Sequence, residues 1–578
     1  MRDLVRTIFA LIAMISLALP VHAQDAPDPV GEWTGVLETP RGETTLVIYV
    51  SRGEDGTLEG QVENAFQAPG NLVPMSEIAV EDGQLSWRVA RIGATYQGDW
   101  DGAAQEWRGT FNQGAELPLN FRRGPPAAQP VVEELDGTWE GAAELNGVSL
   151  RQRLRIETGE RGTIALYDSP DQMANGLPMG NLTRDGASVS FTLMGGLSNF
   201  SGELSAEGSQ LTGTFVTPNQ PDITLTFTRT SEGIAREERN RPQTPEEPFP
   251  YTAEEVAFDN PADASVALAG TLTLPRGPGP FPAAVLITGS GAQDRDETLL
   301  GHKPFAVIAD HLTRHGIAVL RFDDRGVGGS TGNHAAATSA DLATDANAAA
   351  RFLATREDIR ADAIGFIGHS EGGMIGPIAM SENDDIAFLV MLAGPGTALD
   401  QLMLSQRRLA GAQMGLSREQ LDRSEPVMAS VFRAIADAES YEAGLEAARA
   451  VLTPDAMEAL GAPREFSPDV ILTQLGTPWF RYFLRYDPVP NLARIEVPVL
   501  ALSGSLDVQV PASENLPAIR AALAANPDVT VIEFEGLNHL FQTSQTGAIG
   551  EYADIEETFA PVALEAVSTW LAERFLDD

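Results

Sequence analysis

The chain has no cysteine among its 578 residues. That excludes disulfides, thiol nucleophiles and thiolate metal sites, and leaves folding to packing and hydrogen bonding. Lysine is almost as scarce: Lys303 is the sole one, and 39 basic residues face 81 acidic ones. A formal net charge of −42 argues against nucleic acid or an anionic lipid surface as a partner, because both are bound through positive surfaces. The acidic excess reads as a solubility adaptation. Long apolar runs are missing except at the N-terminus, so no later segment is expected to span a bilayer.

The N-terminal run has Arg2 and Arg6, an apolar stretch from Thr7 to Leu19, then Pro20-Val21-His22-Ala23. This pattern predicts a secretory signal over residues 1–23, cleaved after Ala23, and hence an exported, periplasmic or extracellular protein. The remaining chain is globular in composition and too long for one core, so roughly two to four domains are expected.

Two stretches resemble each other at a spacing of about a hundred residues. Gly31-Glu32-Trp33-Thr34-Gly35 recurs as Gly137-Thr138-Trp139-Glu140-Gly141, and Arg108-Gly109-Thr110-Phe111 as Thr212-Gly213-Thr214-Phe215. Leu119-Asn120-Phe121-Arg122 recurs as Leu225-Thr226-Phe227-Thr228. Short alternating runs between Gly and Asp turns mark antiparallel meanders, so two tandem β-barrels or β-sandwiches are expected over 27–124 and 133–230. Trp33 and Trp139 read as core plugs of these modules rather than ligand platforms. The Pro- and Arg-rich segment 231–251 reads as a linker crossed by few contacts.

From about residue 252 the pattern changes to apolar runs alternating with helical stretches. The runs are Phe281 to Ile287, Ile317 to Phe322, Ala363 to Ile367, Ile386 to Leu392, Val497 to Leu502 and Val529 to Phe534. Such runs suit a buried parallel sheet with helices on both faces, an α/β class of fold over 252–578. About a hundred helical residues between the fourth and fifth runs suggest a cap over about 397–493.

Gly-x-Ser-x-Gly occurs as Gly368-His369-Ser370-Glu371-Gly372 and as Gly328-Gly329-Ser330-Thr331-Gly332. Only the first follows an apolar run and precedes a helical stretch, the setting of a nucleophile elbow, although Pro377 implies a helix that kinks or starts late. A serine hydroxyl needs a base, and His539 is the only histidine after Ser370. Asp507, just past a core run, is the expected orienting acid, with Asp487 the rival. Two N–H donors should stabilise the tetrahedral intermediate: the backbone of Glu371 and that of Ser290, with Gly291 in reserve. His311 and His315 lie one helical turn apart like zinc ligands, but without a following glutamate they read as helix-end histidines. No metal or organic cofactor is called for.

With these residues in place, 252–578 resembles bacterial α/β-hydrolase carboxylesterases with a helical cap, the serine aminopeptidase-like group. Gly289-Ser290-Gly291 through Asp294-Arg295-Asp296, Asp324-Arg325-Gly326-Val327-Gly328, the Ser370 motif, Asp507-Val508-Gln509-Val510-Pro511 and Asn538-His539-Leu540-Phe541-Gln542 carry the resemblance. It implies hydrolysis of a small-molecule carboxylic ester without a cofactor. Two alternatives stay open: an aminopeptidase or amidase in which Glu371 or cap acids hold the substrate amine, and an envelope binding protein with a vestigial hydrolase domain, whose β-modules take an envelope polymer.

Overall fold

In the computed structural model, residues 27–576 are described apart from 40–41, 54–55, 67–71, 82, 90–92, 114–115, 146–147, 173, 194–197, 218–221, 232–239, 463–467, 469–470, 473–474 and 476. The expected secretory signal lies outside the described residues.

Alternation of apolar and polar residues from Gly31–Thr39 to Glu116–Arg123 builds a nine-stranded antiparallel sheet in which the first strand pairs with the last and the short fourth strand, Val73–Pro74, and the fifth, Glu77–Glu81, form the two edges. The stretch from Gly137–Leu145 to Ile223–Ser231 builds a second with the same strand order. Each curls around its own aromatic core. Trp33 and Trp139 are 1% and 0% exposed and donate their indole N–H to Pro29 O and Leu135 O. Arg123 and Arg229 lie over those two rings at 4.4 and 4.3 Å. The modules are tied together by Arg161 of the second, which pairs with the buried Glu63 of the first at 3.0 Å.

The third sheet has eight strands in the order Thr252–Asp259, Ala267–Leu274, Ala318–Phe322, Phe281–Ile287, Ile359–His369, Leu389–Leu392, Val499–Gly504, Val529–Phe534. The first two form an antiparallel edge hairpin and the other six run parallel. Its central strands are apolar on both sides because both faces are covered. Ala283, Val285 and Ile287 enter one core, and Ala284 and Leu286 enter the opposite one. The helix Ser339–Ala354 begins in a capping box between Thr338 and Asp341, and Pro304–Arg314 begins with proline, whose missing N–H has no partner to lose there. Between Leu392 and Val499 the chain forms a layer of helices, including Leu399–Gln413, Arg418–Asp437, Tyr441–Val451 and Pro478–Arg485, with a small core around Val431, Phe432 and Phe480.

The segment read as a linker is not a free tether where it is described. Arg241 donates to Leu300 O, Ala553 O and Ile555 O at 2.8–2.9 Å, and Gln243 bonds Thr558 and Phe559. The second β-module also docks directly. Arg151 holds Asp171 of its own module and reaches Asp554 and Gly550 O, while Gln172 donates to Met414 O at 3.1 Å. The expectation of few crossing contacts fails because these guanidinium and amide groups satisfy loop carbonyls of the hydrolase domain.

Candidate active site

Parallel strands deliver their C-terminal ends to one edge of the sheet, and the site is assembled there. Ile359–His369 runs straight into Ser370, whose φ of +52° places it in the left-handed region, before the helix Gly372–Met380 begins. Such a turn demands close backbone approach. A Cβ on Gly368 would meet Gly372 O at 2.1 Å, and one on Gly372 would meet Ile287 O at 2.1 Å, so neither position accepts a side chain. The helix starts at Gly372 despite Pro377, so the late start anticipated from the sequence does not occur; the proline simply contributes no N–H to the helical ladder.

Asp507 follows the strand Val499–Gly504 and His539 follows Val529–Phe534. His539 Nδ1 lies 2.8 Å from Asp507 Oδ2, and the other carboxylate oxygen accepts the N–H groups of Gln509 and Val510 at 2.8 Å each. The His539 loop is clamped from within, because Asn538 Oδ1 accepts from Leu540 N and Gln542 N. Ser370, His539, Ser290 and Glu371 line one pocket of about 250 Å³; Gly291 is not among its lining residues. Among the described residues, the Ser370 hydroxyl, His539 Nε2 and the N–H groups of Ser290 and Glu371 have no hydrogen-bond partner. Four groups able to attack, accept a proton or donate to an oxyanion are thus left open around one space.

The competing residues lie elsewhere in roles of their own. Ser330 is buried, donates to Asp323 O at 2.7 Å and accepts from Ala269 N at 3.0 Å. Asp487 accepts from Val489 N at a local turn. His311 bonds Ser568, and His315 bonds the carbonyl of His311.

Sequence reasoning missed the network behind the pocket. Glu297, buried, accepts from Gly289 N at 2.7 Å and faces His369 Nδ1 at 2.9 Å, and His369 Nε2 meets His539 O at 3.0 Å. One carboxylate therefore couples the Gly289–Ser290 turn, the elbow and, through His369, the His539 loop. Burial alone would lower the His369 pKa, but the charge and hydrogen bond of Glu297 reverse that and raise it. The sequence signal is adjacent: Glu297 directly follows Asp294-Arg295-Asp296, which carry the family resemblance. Asp324 supports the same turn, accepting from Thr288 and Gln293 N at 2.8 Å, and its burial holds its pKa well above the ordinary range.

Trp479 was also missed. It is the second residue of the helix Pro478–Arg485 and donates its indole N–H to Glu371 Oε1 at 2.7 Å, the oxygen that also accepts from Ser339 at 2.6 Å. Burial raises the Glu371 pKa, against the pull of Ser339, Trp479 and Ser290.

Residues 303–462 match the family described as Serine aminopeptidase, S33. Esterase EstD of Thermotoga maritima is 29% identical over 276 residues, which are 47% of this chain and 58% of that protein, so the chain spans less than two thirds of its relative's length. Among solved structures, the Pyrococcus furiosus esterase Pf2001 aligns over 59% of this chain and 100% of its own at 14% identity and a TM-score of 0.37. Ferulic acid-bound Est1E from Butyrivibrio proteoclasticus aligns over 55% and 96% at 17% identity and a TM-score of 0.32. The strand order and the elbow make the part of the chain from Thr252 onward an α/β-hydrolase domain, and its sequence is similar to that of a serine aminopeptidase family and of an esterase.

Proposed function

We propose that the protein hydrolyses carboxylic esters through an acyl-enzyme. Ser370 Oγ attacks the ester carbonyl carbon while its proton passes to His539 Nε2, and Asp507 holds the imidazole in the tautomer that leaves Nε2 free. The N–H groups of Ser290 and Glu371 receive the oxyanion. His539 then protonates the leaving alkoxide as the C–O bond breaks. Water, deprotonated by His539, attacks the acyl-enzyme, releasing the acid and restoring Ser370. The observation that carries this reading is Ser370 on a strained strand-to-helix turn, opening onto the same pocket as a histidine anchored to a buried aspartate.

The ester reading is preferred to the aminopeptidase reading on one point. A substrate ammonium would need a carboxylate with free acceptors, whereas Glu371 is buried at a cost to its charged form and one of its oxygens already holds Ser339 and Trp479. The full-length chain should turn over 4-nitrophenyl esters with a higher kcat/KM than aminoacyl 4-nitroanilides, and a fluorophosphonate should label Ser370 alone. Anilide turnover exceeding ester turnover would promote the peptidase reading, and labelling elsewhere would displace the nucleophile.

The common strand order of the two β-modules and their paired Trp–Arg devices support an origin by duplication. Export is proposed on the N-terminal sequence; the first residue of the secreted protein should be Gln24. Binding of an envelope polymer by the modules is a separate proposal, tested by pull-down on isolated cell-wall material.

A further inference from the structure

The catalytic pocket adjoins a much larger space of about 1230 Å³, walled on one side by the helical layer and on the other by the second β-module through Glu140, Gly141, Arg151, Gln152 and Arg153. Leu299, Met403, Gln406 and Gln509 border both spaces. The helix Leu399–Gln413 runs from one to the other. Leu402 lines only the small pocket, Met403 and Gln406 line both, and Arg407 and Ala410 line only the large one. Met403, Gln406, Arg407 and Ala410 follow the i, i+3, i+4, i+7 spacing of one helix face. At 1.5 Å per residue, Arg407 stands roughly 7–8 Å beyond Leu402 along the helix.

The walls are mainly apolar, with Leu300, Met428, Phe432, Leu475 and Ile549 among them. The charged residues of the wall are nearly all paired: Arg151 with Asp554 and Asp171, and Arg153 with Glu140 at 3.3 Å. Arg407 is the exception. It is half-buried and makes no hydrogen bond or ion pair among the described residues. Its one charged influence, Glu425, is bound to Arg408 at 2.8 Å. Desolvation disfavours the charged guanidinium and lowers its pKa, so an anion beside it would relieve an existing penalty.

We infer that this chamber between the second β-module and the helical layer receives the non-reacting part of the substrate, and that the substrate is an ester with an extended apolar body bearing a carboxylate, which pairs with Arg407. The inference rests on Ser370 as the esterase nucleophile. It makes the second module a wall of the substrate site rather than an independent appendage.

The test compares, on the full-length chain, kcat/KM for the mono-4-nitrophenyl ester of decanedioic acid with that for 4-nitrophenyl decanoate, which has the same length without the terminal charge. The wild-type ratio should exceed one. Arg407→Gln should lower it by about tenfold, Arg407→Lys by less, and Leu409→Ala, on the exposed side of the same helix, should leave it unchanged. Ala410→Trp, which fills the chamber, should lower kcat/KM for both long esters relative to 4-nitrophenyl acetate by threefold or more. A wild-type ratio of one or below, a fall of less than threefold in Arg407→Gln, or long-ester turnover insensitive to Ala410→Trp would overturn the inference. Calorimetric binding of the monoalkyl ester of decanedioic acid to the Ser370→Ala chain, with and without Arg407→Gln, supplies a readout free of turnover. If the affinity falls threefold or more with Arg407→Gln while no ester is hydrolysed by the wild type, the chamber stands and the esterase reading fails. Unchanged affinity overturns the chamber.

Discussion

Asp507→Asn is the sharpest test of the proposed mechanism because the structure fixes how the amide must sit. One carboxylate oxygen of Asp507 accepts two backbone N–H groups at 2.8 Å, and the other faces His539 Nδ1 at 2.8 Å. An asparagine keeps its carbonyl oxygen on the two N–H donors, since the flipped amide would confront them with its own NH₂ and leave buried donors unpaired, at about 1–3 kcal/mol each. The NH₂ then points at Nδ1, which must become an acceptor, so the ring proton moves to Nε2 and the base facing Ser370 is lost. A tautomer trapped in this way lowers kcat by about 1,000- to 10,000-fold, equivalent to about 4–5.5 kcal/mol of barrier. The assay is kcat for 4-nitrophenyl acetate on the full-length chain, with a melting curve to confirm folding. Asp487→Asn, altering only a turn that accepts from Val489 N, should stay within about twofold of wild type. A folded Asp507→Asn protein retaining more than a tenth of wild-type kcat would refute the assignment.

Ser330→Ala should lower stability by about 1–3 kcal/mol in urea titrations, because Ala269 N and Asp323 O lose a buried partner, while most esterase activity persists. Activity falling as far as in Ser370→Ala would mean that the wrong serine motif was chosen. Gly372→Ala should abolish soluble folded protein or cost more than tenfold in activity, since the added Cβ would lie 2.1 Å from Ile287 O; a fully active variant would refute the packing argument. Glu371→Gln should stabilise the protein in a pH-dependent way. The raised pKa of Glu371 means that ionising it opposes folding, a penalty absent below the ordinary glutamate range and complete above the raised value. Ser339 and Trp479 both donate to Oε1, which glutamine retains, and the Ser290 hydroxyl can turn to accept from the new NH₂, so the melting-temperature advantage should grow as pH rises from about 4 and then level off; a pH-independent difference would count against a buried ionisable role.

The parts of this architecture legible in the sequence are those where burial is two-sided or periodic. Phe281–Ile287, buried on both faces, matches the strand expected from its apolar run, and the helices Arg418–Asp437 and Tyr441–Val451 lie within the cap expected over about 397–493, opened by the N-caps Ser417 and Ser440. The edge hairpin Thr252–Asp259 with Ala267–Leu274 went unread, since the outer strand is largely exposed and its Ala-Glu-Glu-Val sequence lacks a buried strand's signature. Site residues acting through backbone strain and chain order were visible in motifs. Glu297 and Trp479 were not, because each acts on a partner distant in sequence and nothing in a single sequence marks which carboxylate meets a backbone N–H; nor does it mark which arginine is left unpaired, as Arg407 is among the described residues. The contacts of Arg241 and Arg151 with hydrolase loops were hidden for the same reason: proline and charge mark a segment as irregular, not as undocked.

Ser370 occupies a backbone conformation that suits glycine, and holding a serine there costs on the order of 1 kcal/mol. Its chemistry and its contribution to folding therefore pull in opposite directions. A library of variants ranked by melting temperature alone would favour Ser370→Gly, enriching for well-folded chains stripped of the proposed nucleophile. Any effort to make this protein hardier has to select on turnover as well as on heat resistance, because the strained turn that presents the hydroxyl is also a place where the fold can relax.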